Sequence, residues 1–325
     1  MKLPRRTFMQ FAGAAATMQA FSRVAVAQAY PTRPITMIVP IAAGSSLDVF
    51  GRVIAERMAK SLGQPIIIEN VSGADGTIGV SRAARAKPDG HVIGLVTMST
   101  FVLSSPLYSP PYDIFNDFAP IAPLATTPFV LFTRNSMQRD LNELIAWLKA
   151  NPNKVSAGIT TVGYRLLMTV FQKETGTQFT LVPYRGAASE MQGLVAGQID
   201  LLFDSLVQLP LVRAGIIRAY GVTSDARMAL VPNIPTFAEM GLSALSHTAW
   251  LGLFAPKGTP AGIISNLNAA TVEALADPAV RSRIDDLGFE VFPREQQTGD
   301  ELGAFVRASA EKWWPIVKEL EIRAE

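Results

Sequence analysis

The stretch ITMIVPIAAGSSLDVFGRVIAERMAKSLGQPIII, residues 35–68, contains a strand, a helix and a second strand in direct succession. Its first five residues form a short apolar run typical of a buried strand. Residues 46–62 repeat apolar side chains at the spacing of one helical face, and Gly63 ends that pattern. The three isoleucines 66–68 supply the second strand. A strand, a helix and a strand in this order predict a parallel sheet with helices on its faces.

The alternation continues beyond this stretch. A helix of small residues over 77–86 and the turn Pro88-Asp89-Gly90 lead into a third strand, 92–96. After a proline-rich connection over 106–128, strands and helices alternate again over 129–203. A second sheet with its own helices is therefore expected.

The chain is long enough for two lobes, since one hydrophobic core seldom grows beyond about 250 to 300 residues. We predict an α/β protein with the two-lobed, type II-like architecture of periplasmic binding proteins, in which each lobe is a mostly parallel sheet flanked by helices. Two strands near residues 129 and 250 cross between the lobes at the hinge and leave a cleft. The predicted domains are residues 30–130 with 251–325 for the first lobe and 131–250 for the second.

The first 29 residues have the features of an export signal. Basic residues stand at the start, a mostly apolar stretch of small residues follows over 8–21, and Ala27-Gln28-Ala29 has the form of a cleavage site. The pair Arg5-Arg6 is similar to a twin-arginine signal, and an ordinary secretory signal is the alternative. Residues 1–29 are therefore predicted to be removed on export to the periplasm, with Tyr30 as the mature start.

Composition excludes several classes of protein. The first 29 residues contain four basic and no acidic residues, so that 25 basic and 27 acidic residues remain in the mature part. No run of Lys and Arg suggests binding to nucleic acid. The absence of cysteine rules out disulfides, thiolate nucleophiles and cysteine metal sites. No apolar run of the mature part reaches the roughly 18 residues that span a bilayer.

A loop of small residues follows the first strand of each predicted lobe. Residues 40–46, PIAAGSS, open a helix whose free backbone N–H groups and positive end favour an anion. The second lobe has a counterpart in residues 158–163, GITTVG. Ligands of open α/β sheets lie at the carboxyl ends of the strands, so the two loops could hold one carboxylate from both sides. Four hydroxyl groups are candidate donors: those of Ser45, Ser46, Thr160 and Thr161.

The same residues also have structural explanations. Ser and Thr before a helix are ordinary N-caps, which leaves binding and capping open for both loops. Asp48, in the first turn of its helix, is interpreted as a carboxylate that braces the loop or compensates the helix dipole rather than as a catalytic group. Tyr164 and Arg165 could bind a planar carboxylic acid. The alternative is that Tyr164 is a packing residue and Arg165 a surface or ion-pair residue.

Several short motifs recur in a fixed order along the mature chain and together are similar to one family. Their order and spacing resemble the Bug family, the substrate-binding proteins of tripartite tricarboxylate transporters, over nearly the whole mature chain. The motifs are Tyr30-Pro-Thr-Arg-Pro-Ile35, Gly44-Ser-Ser-Leu-Asp48, Gly63-Gln-Pro65, Pro88-Asp-Gly90, Val182-Pro-Tyr-Arg-Gly186, Gly197-Gln-Ile-Asp200 and Trp250-Leu-Gly-Leu-Phe-Ala-Pro256.

The resemblance implies two lobes that close on a carboxylate, which is contacted partly through ordered water, and no catalysis. It also implies delivery of the ligand to integral-membrane transporter subunits. The likeness places ligand-binding residues in both lobes: Ile41, Gly44, Ser45, Ser46, Asp48, Met98 and Ser99 in the first, and Thr161, Val162 and Asp204 in the second.

The chain departs from the family pattern at three places in these loops. The usual Pro-Gly-Gly of the first loop is Ala43-Gly44-Ser45 here. In the second loop, Val162 stands where a small polar residue is usual, and Arg165 where a histidine is usual. These departures leave the identity of the ligand open.

An enzyme is the main alternative class, and the residues argue against it. A hydrolase needs a nucleophile, a base and an orienting group, yet His91 and His247 are the two histidines of the chain. No Gly-x-Ser-x-Gly elbow or metal-ligand cluster is present in the sequence. We therefore predict a monomeric, non-enzymatic solute-binding protein without cofactor or metal. A periplasmic sensor that signals to a membrane partner stays open, because both roles use the same closing module.

Overall fold

The computed structural model describes residues 30–322, and the predicted signal peptide, residues 1–29, lies outside the described residues. One six-stranded sheet is formed by β1 (Ile35–Val39), β2 (Ile66–Asn70), β3 (Val92–Thr97), β4 (Phe118–Pro128), β10 (Thr248–Pro256) and β11 (Glu290–Val291). A five-stranded sheet is formed by β5 (Val130–Arg134), β6 (Ser156–Ile159), β7 (Thr180–Pro183), β8 (Leu201–Asp204) and β9 (Ile217–Val222). The strand orders are β11-β4-β10-β3-β1-β2 and β7-β6-β8-β5-β9.

Each sheet has a parallel and an antiparallel half. β1 is parallel to β2 and β3, and β6 is parallel to β7 and β8. β10 runs antiparallel to β3 and β4, and β5 runs antiparallel to β8 and β9. The two α/β lobes are confirmed, but the sheets are mixed rather than mostly parallel, because the strands that cross from the other lobe enter in the opposite direction.

Helices cover both sheets. They are α1 (Ser46–Leu62), α2 (Thr77–Ala84), α3 (Ser105–Tyr108), α4 (Leu141–Ala150), α5 (Val162–Thr175), α6 (Ala187–Val195), α7 (Leu209–Arg213), α8 (Ala261–Ala276), α9 (Pro278–Asp286) and α10 (Gly299–Glu319). α1 ends as predicted at Gly63, whose φ of 70° is a left-handed conformation that favours glycine. Among the described residues, no helix is long and apolar enough to cross a membrane.

The proline-rich connection predicted over 106–128 contains the long strand β4, which is a correction. Pro120 and Pro123 lie within this strand and lack an N–H group for the sheet. The pairing of β4 with β10 shifts register between Leu251 and Gly252 and again between Leu253 and Phe254. Such irregularities accommodate prolines in a strand that a regular ladder would reject.

The two crossings between the lobes are hydrogen-bonded to each other. The first crossing is at Phe129, between β4 and β5, and the return lies between β9 and β10. Thr223 links them, because its Oγ1 accepts from the N–H of Phe129 at 2.8 Å and its carbonyl accepts from the N–H of His247 at 2.8 Å. The domain boundaries predicted at 130/131 and 250/251 lie near these crossings and stay a prediction.

Two tryptophans pack at the hinge side of the first lobe. Trp250 is buried on β10, and its Nε1–H donates to Ser309 Oγ at 2.8 Å. Trp313 on α10 is buried and meets the ring of His247 edge-on, with 4.7 Å between ring centroids. These aromatic contacts attach the C-terminal helix to the return crossing.

Candidate ligand-binding site

A cavity of about 510 Å³ lies between the two lobes. Its walls are the segments that follow β1, β2 and β3 in the first lobe and β6, β7 and β8 in the second. Phe129 and His247 close it on the hinge side. The volume is within the range of small-molecule sites, which is roughly 300 to 1,000 Å³.

Most of the residues predicted for the site line this cavity. The lining residues among them are Ile41, Ser45, Ser46, Met98, Ser99, Thr160, Thr161, Tyr164 and Asp204. Four others do not line it: Gly44, Asp48, Val162 and Arg165. Contact with a ligand stays a prediction for all thirteen.

The two serines of the first loop have different roles. Ser45 is the N-cap of α1, and its Oγ accepts from the N–H of Asp48 at 3.3 Å. Ser46 is the first helical residue and lines the cavity next to Leu47. The geometry of an α-helix gives the N–H groups of its first turn no carbonyl partner within the helix. The capping explanation therefore fits Ser45, and Ser46 is placed for a ligand.

Asp48 braces this loop from behind. Its Oδ2 accepts from the N–H of Gly44 at 2.8 Å, and its Oδ1 accepts from Asn70 Nδ2 at 3.0 Å. Arg52 forms an ion pair with it at 3.0 Å. Burial alone would raise the pKa of Asp48, but the hydrogen bonds from Arg52, Gly44 and Asn70 outweigh burial and lower it. The carboxylate stays ionised and holds the loop.

The lobes touch each other at the start of α5. The N–H of Val162 donates to Asp75 Oδ2 at 3.3 Å, and the N–H of Gly163 donates to Ser99 Oγ at 3.1 Å. Both acceptors belong to the first lobe. Thr161 occupies the N-cap position of α5, but its side chain makes no capping hydrogen bond. Thr161 lines the cavity.

Asp75 also lines the cavity, although it is not among the residues predicted for the site. Its Oδ2 also accepts from Ser104 Oγ. Burial raises the pKa of Asp75 to about 6, against the opposing effects of the Ser104 and Val162 hydrogen bonds and of nearby Arg165. Its φ of 50° is left-handed, which Asp tolerates better than most residues.

Two acidic groups of the second lobe, Asp204 and Glu190, influence each other. Asp204 Oδ1 accepts from the N–H of Ser205 at 2.7 Å and from Tyr164 Oη at 3.3 Å, and its Oδ2 accepts from Gln208 Nε2 at 2.7 Å. Burial raises the pKa of Asp204 despite these donors. Glu190 on α6 is fully buried, and burial with the neighbouring Asp204 raises its pKa to about 9. Glu190 is therefore protonated at neutral pH.

The charged groups that line the cavity are few. Within residues 30–322, the lining side chains include Asp75, Asp204 and the exposed Arg185. His247 also lines the cavity, but burial, together with Lys312, lowers its pKa to about 3, so the ring is neutral. In the same range, no three His, Asp or Glu side chains form a group that could hold a metal ion.

Sequence reasoning missed Tyr184, Arg185 and His247 as lining residues. Tyr184 and Arg185 directly follow β7, so the rule that ligands lie at the carboxyl ends of strands would have included them. His247 precedes β10 in an irregular segment, and no local pattern marks it as part of the cleft.

Residues 50–322 match the family described as the tripartite tricarboxylate transporter family receptor. The match covers more than half of the chain. The chain belongs to this receptor family. The resemblance to the Bug family is thereby confirmed, and so is the non-enzymatic prediction, because this is a family of binding proteins rather than enzymes.

Solved structures agree with this assignment to the receptor family. The periplasmic binding protein BugD superposes with a TM-score of 0.84 at 32% identity, covering 91% of this chain and 100% of BugD. MatC from Rhodopseudomonas palustris with bound malate gives 0.83 at 35% identity, covering 89% of this chain and 100% of MatC. A second R. palustris protein, with adipate, gives 0.83 at 28% identity and covers 90% of this chain and 99% of its own.

Proposed function

We propose that this receptor captures a small organic acid between its lobes in the periplasm and delivers it to the integral-membrane subunits of a tripartite tricarboxylate transporter. The observation that carries the proposal is the cavity at the start of α1, where Ser46 and Leu47 line the wall. Their N–H groups, the Ser46 hydroxyl and the positive end of the helix all favour a carboxylate there.

The relatives support the chemical class of the ligand. MatC is described with malate and the second R. palustris protein with adipate, and both ligands are aliphatic acids. The periplasmic relative BugD and the export signal expected in residues 1–29 support the compartment. Transport is preferred to sensing because the family is named for transporters.

A thermal-shift screen of the mature protein tests the ligand class. The compounds are mono-, di- and tricarboxylates and aromatic acids, with malate and adipate among them and their diamides as uncharged controls. A ligand at about 100 times its Kd stabilises the folded state by about 2.7 kcal/mol, which raises Tm. We expect Tm to rise with acids and not with diamides. A rise with sugars or amines alone would overturn the proposal.

A further inference from the structure

Two N–H groups at the N-terminus of α5 already have partners within the protein. α5 is 14 residues long, so its first turn is a favourable place for an anion. Asp75 takes the N–H of Val162, and Ser99 takes the N–H of Gly163. In the second-lobe half of the expected carboxylate cradle, these two N–H groups are thus taken by a carboxylate and a hydroxyl of the first lobe.

Asp75 is held in this place by its surroundings. Ala74 and Asp75 are consecutive non-glycine residues with φ of 46° and 50°. A left-handed backbone at a non-glycine residue is strained and persists only where neighbouring residues fix it. Ser104 Oγ donates to the Asp75 carboxylate and also lies 3.2 Å from the Asp75 carbonyl oxygen. The carboxylate is therefore a fixed part of the cavity wall.

From this geometry we propose that Asp75 sets the specificity of the site, by favouring ligands with one carboxylate and a neutral hydrogen-bond donor over dicarboxylates. The inference rests on the proposed function and narrows its ligand class. One ligand carboxylate lies at Ser46 and the start of α1, and the other end of the ligand faces Asp75. A second carboxylate there would meet a like charge in a partly desolvated cavity, where repulsion is strong. A carboxamide or hydroxyl donates to Asp75 instead.

Two matched pairs of ligands test the inference: succinate with succinamate, and glutarate with glutaramate. Each pair has the same length and differs by one carboxylate replaced by a carboxamide. Titration calorimetry at pH 7.5 compares the wild type with D75N, which keeps the shape and an acceptor for Val162. We expect the wild type to bind the monoamide at least tenfold more tightly than the diacid. In D75N, we expect the affinity for the diacid to rise at least tenfold.

Controls make each outcome decisive. D286N removes the same charge from an exposed position on α9 and should behave as the wild type. If D75N does not fold, D75G replaces it, because glycine accepts the left-handed backbone. Equal binding of diacid and monoamide by the wild type, unchanged in the variant, overturns the inference. So does no binding of any of the four compounds. The thermal-shift screen judges the proposed function separately.

The pH dependence gives a second readout. Asp75 faces Tyr108 on α3, Tyr112 after it and the guanidinium of Arg165 on α5. Burial raises the pKa of both tyrosines above the ordinary value, so both rings stay neutral between pH 5 and 7.5. The pKa of Asp75, raised by burial to about 6, lies inside that range. The succinate affinity of D75N is divided by that of the wild type at each pH. Titration of the ligand affects both affinities equally, so it drops out of this ratio. We expect this ratio to fall from tenfold or more at pH 7.5 towards one at pH 5. A constant ratio contradicts the inference.

Discussion

At the scale of single residues, adjacent side chains of one type have separate tasks. Ser45 stabilises α1 through the N–H of Asp48, whereas Ser46 lines the cavity and does not cap the helix. Thr161 stands at an N-cap position without a capping bond. The position of a Ser or Thr before a helix is therefore not enough to identify it as an N-cap. The capping hydrogen bond of its side chain shows whether it has that role.

Substitution of the two cavity hydroxyls tests this division. Removing a hydrogen bond to a charged group costs about 1.5 to 3 kcal/mol, so S46A and T161A should each weaken carboxylate binding about 10- to 150-fold. The free energy of unfolding should change little. S45A is the matched comparison and should lose about 1 kcal/mol of stability, because it removes a cap. Calorimetry beside thermal unfolding separates the two effects. Stability losses with intact affinity in S46A and T161A would contradict the assignment.

The buried Glu190 predicts a dependence of stability on pH. Neither of its carboxyl oxygens has a hydrogen-bond partner within residues 30–322, and its pKa is raised from 4.5 to about 9. Between these pH values the folded state keeps a proton that the unfolded state has lost. Stability therefore falls as pH rises from about 5 to 9, by about 1.4 kcal/mol per pH unit at most.

The variant E190Q should remove this slope, because the amide stays neutral at every pH. Urea unfolding at pH 5, 7 and 9 measures it, with the exposed E295Q as a control for the loss of a carboxylate. E190Q should be more stable than the wild type at pH 9 and similar to it at pH 5. Parallel slopes in E190Q and the wild type would show that Glu190 is ionised in the folded protein.

Local sequence could predict some of these residues and not others. Ser46 and Thr161 lie at the helix starts that follow β1 and β6, so strand-end reasoning finds them. The contact of Asp75 with Val162 joins residues 87 positions apart and exists through the approach of the two lobes. Glu190 stands in a short helix whose sequence does not show that the side chain points into the core. Contacts between lobes and burial of a lone charge have no local signal.

At the scale of elements, periodicity predicted regular segments well and strand direction poorly. Helix α1 begins and ends where its apolar spacing and Gly63 predicted. The strand β4 was missed because it contains three prolines, which are typical of a loop. Whether a strand is parallel or antiparallel depends on the strand beside it. The antiparallel pairing of β5 and β10 therefore could not be predicted from their own residues.

The start of α5 gives a prediction in which affinity changes without a loss of stability. A Cβ added at Gly163 would lie 3.0 Å from Ser99 Oγ and 3.3 Å from Ser99 Cβ, across the contact between lobes. Such overpacking costs about 1 to 3 kcal/mol, so G163A should weaken ligand binding about 5- to 150-fold. Alanine favours the helix, so the free energy of unfolding should not fall.

The control for G163A is G262A on α8, where an added Cβ meets no heavy atom within 4 Å. G262A should be at least as stable as the wild type and should keep its affinity. Calorimetry and thermal unfolding are measured on both variants. Equal affinities in G163A and G262A would mean that the contact between Gly163 and Ser99 does not form when ligand binds.

At the scale of the whole molecule, two short crossings join lobes that also touch across the cleft. Thr223 links the crossings, and Asp75 with Ser99 contacts the start of α5 on the cavity side. Phe129 stacks on His247 with 5.9 Å between ring centroids, next to the cavity. A hinge at the crossings and hydrogen bonds at the opposite side of the cleft are the two parts that a closing receptor needs.

The arrangement predicts compaction when ligand binds. The lobes are joined across the cleft by two hydrogen bonds, from Val162 to Asp75 and from Gly163 to Ser99. Two hydrogen bonds stabilise the closed form only slightly relative to the open form, which has more conformational freedom. A ligand that touches both lobes adds binding energy to the closed form alone and shifts the population towards it. Small-angle scattering should show a radius of gyration that falls towards about 19 Å, the value for a compact chain of this length. G163A at the same ligand concentration should compact less. An unchanged radius at saturating ligand would mean that the lobes are already closed and that ligand enters without a hinge motion.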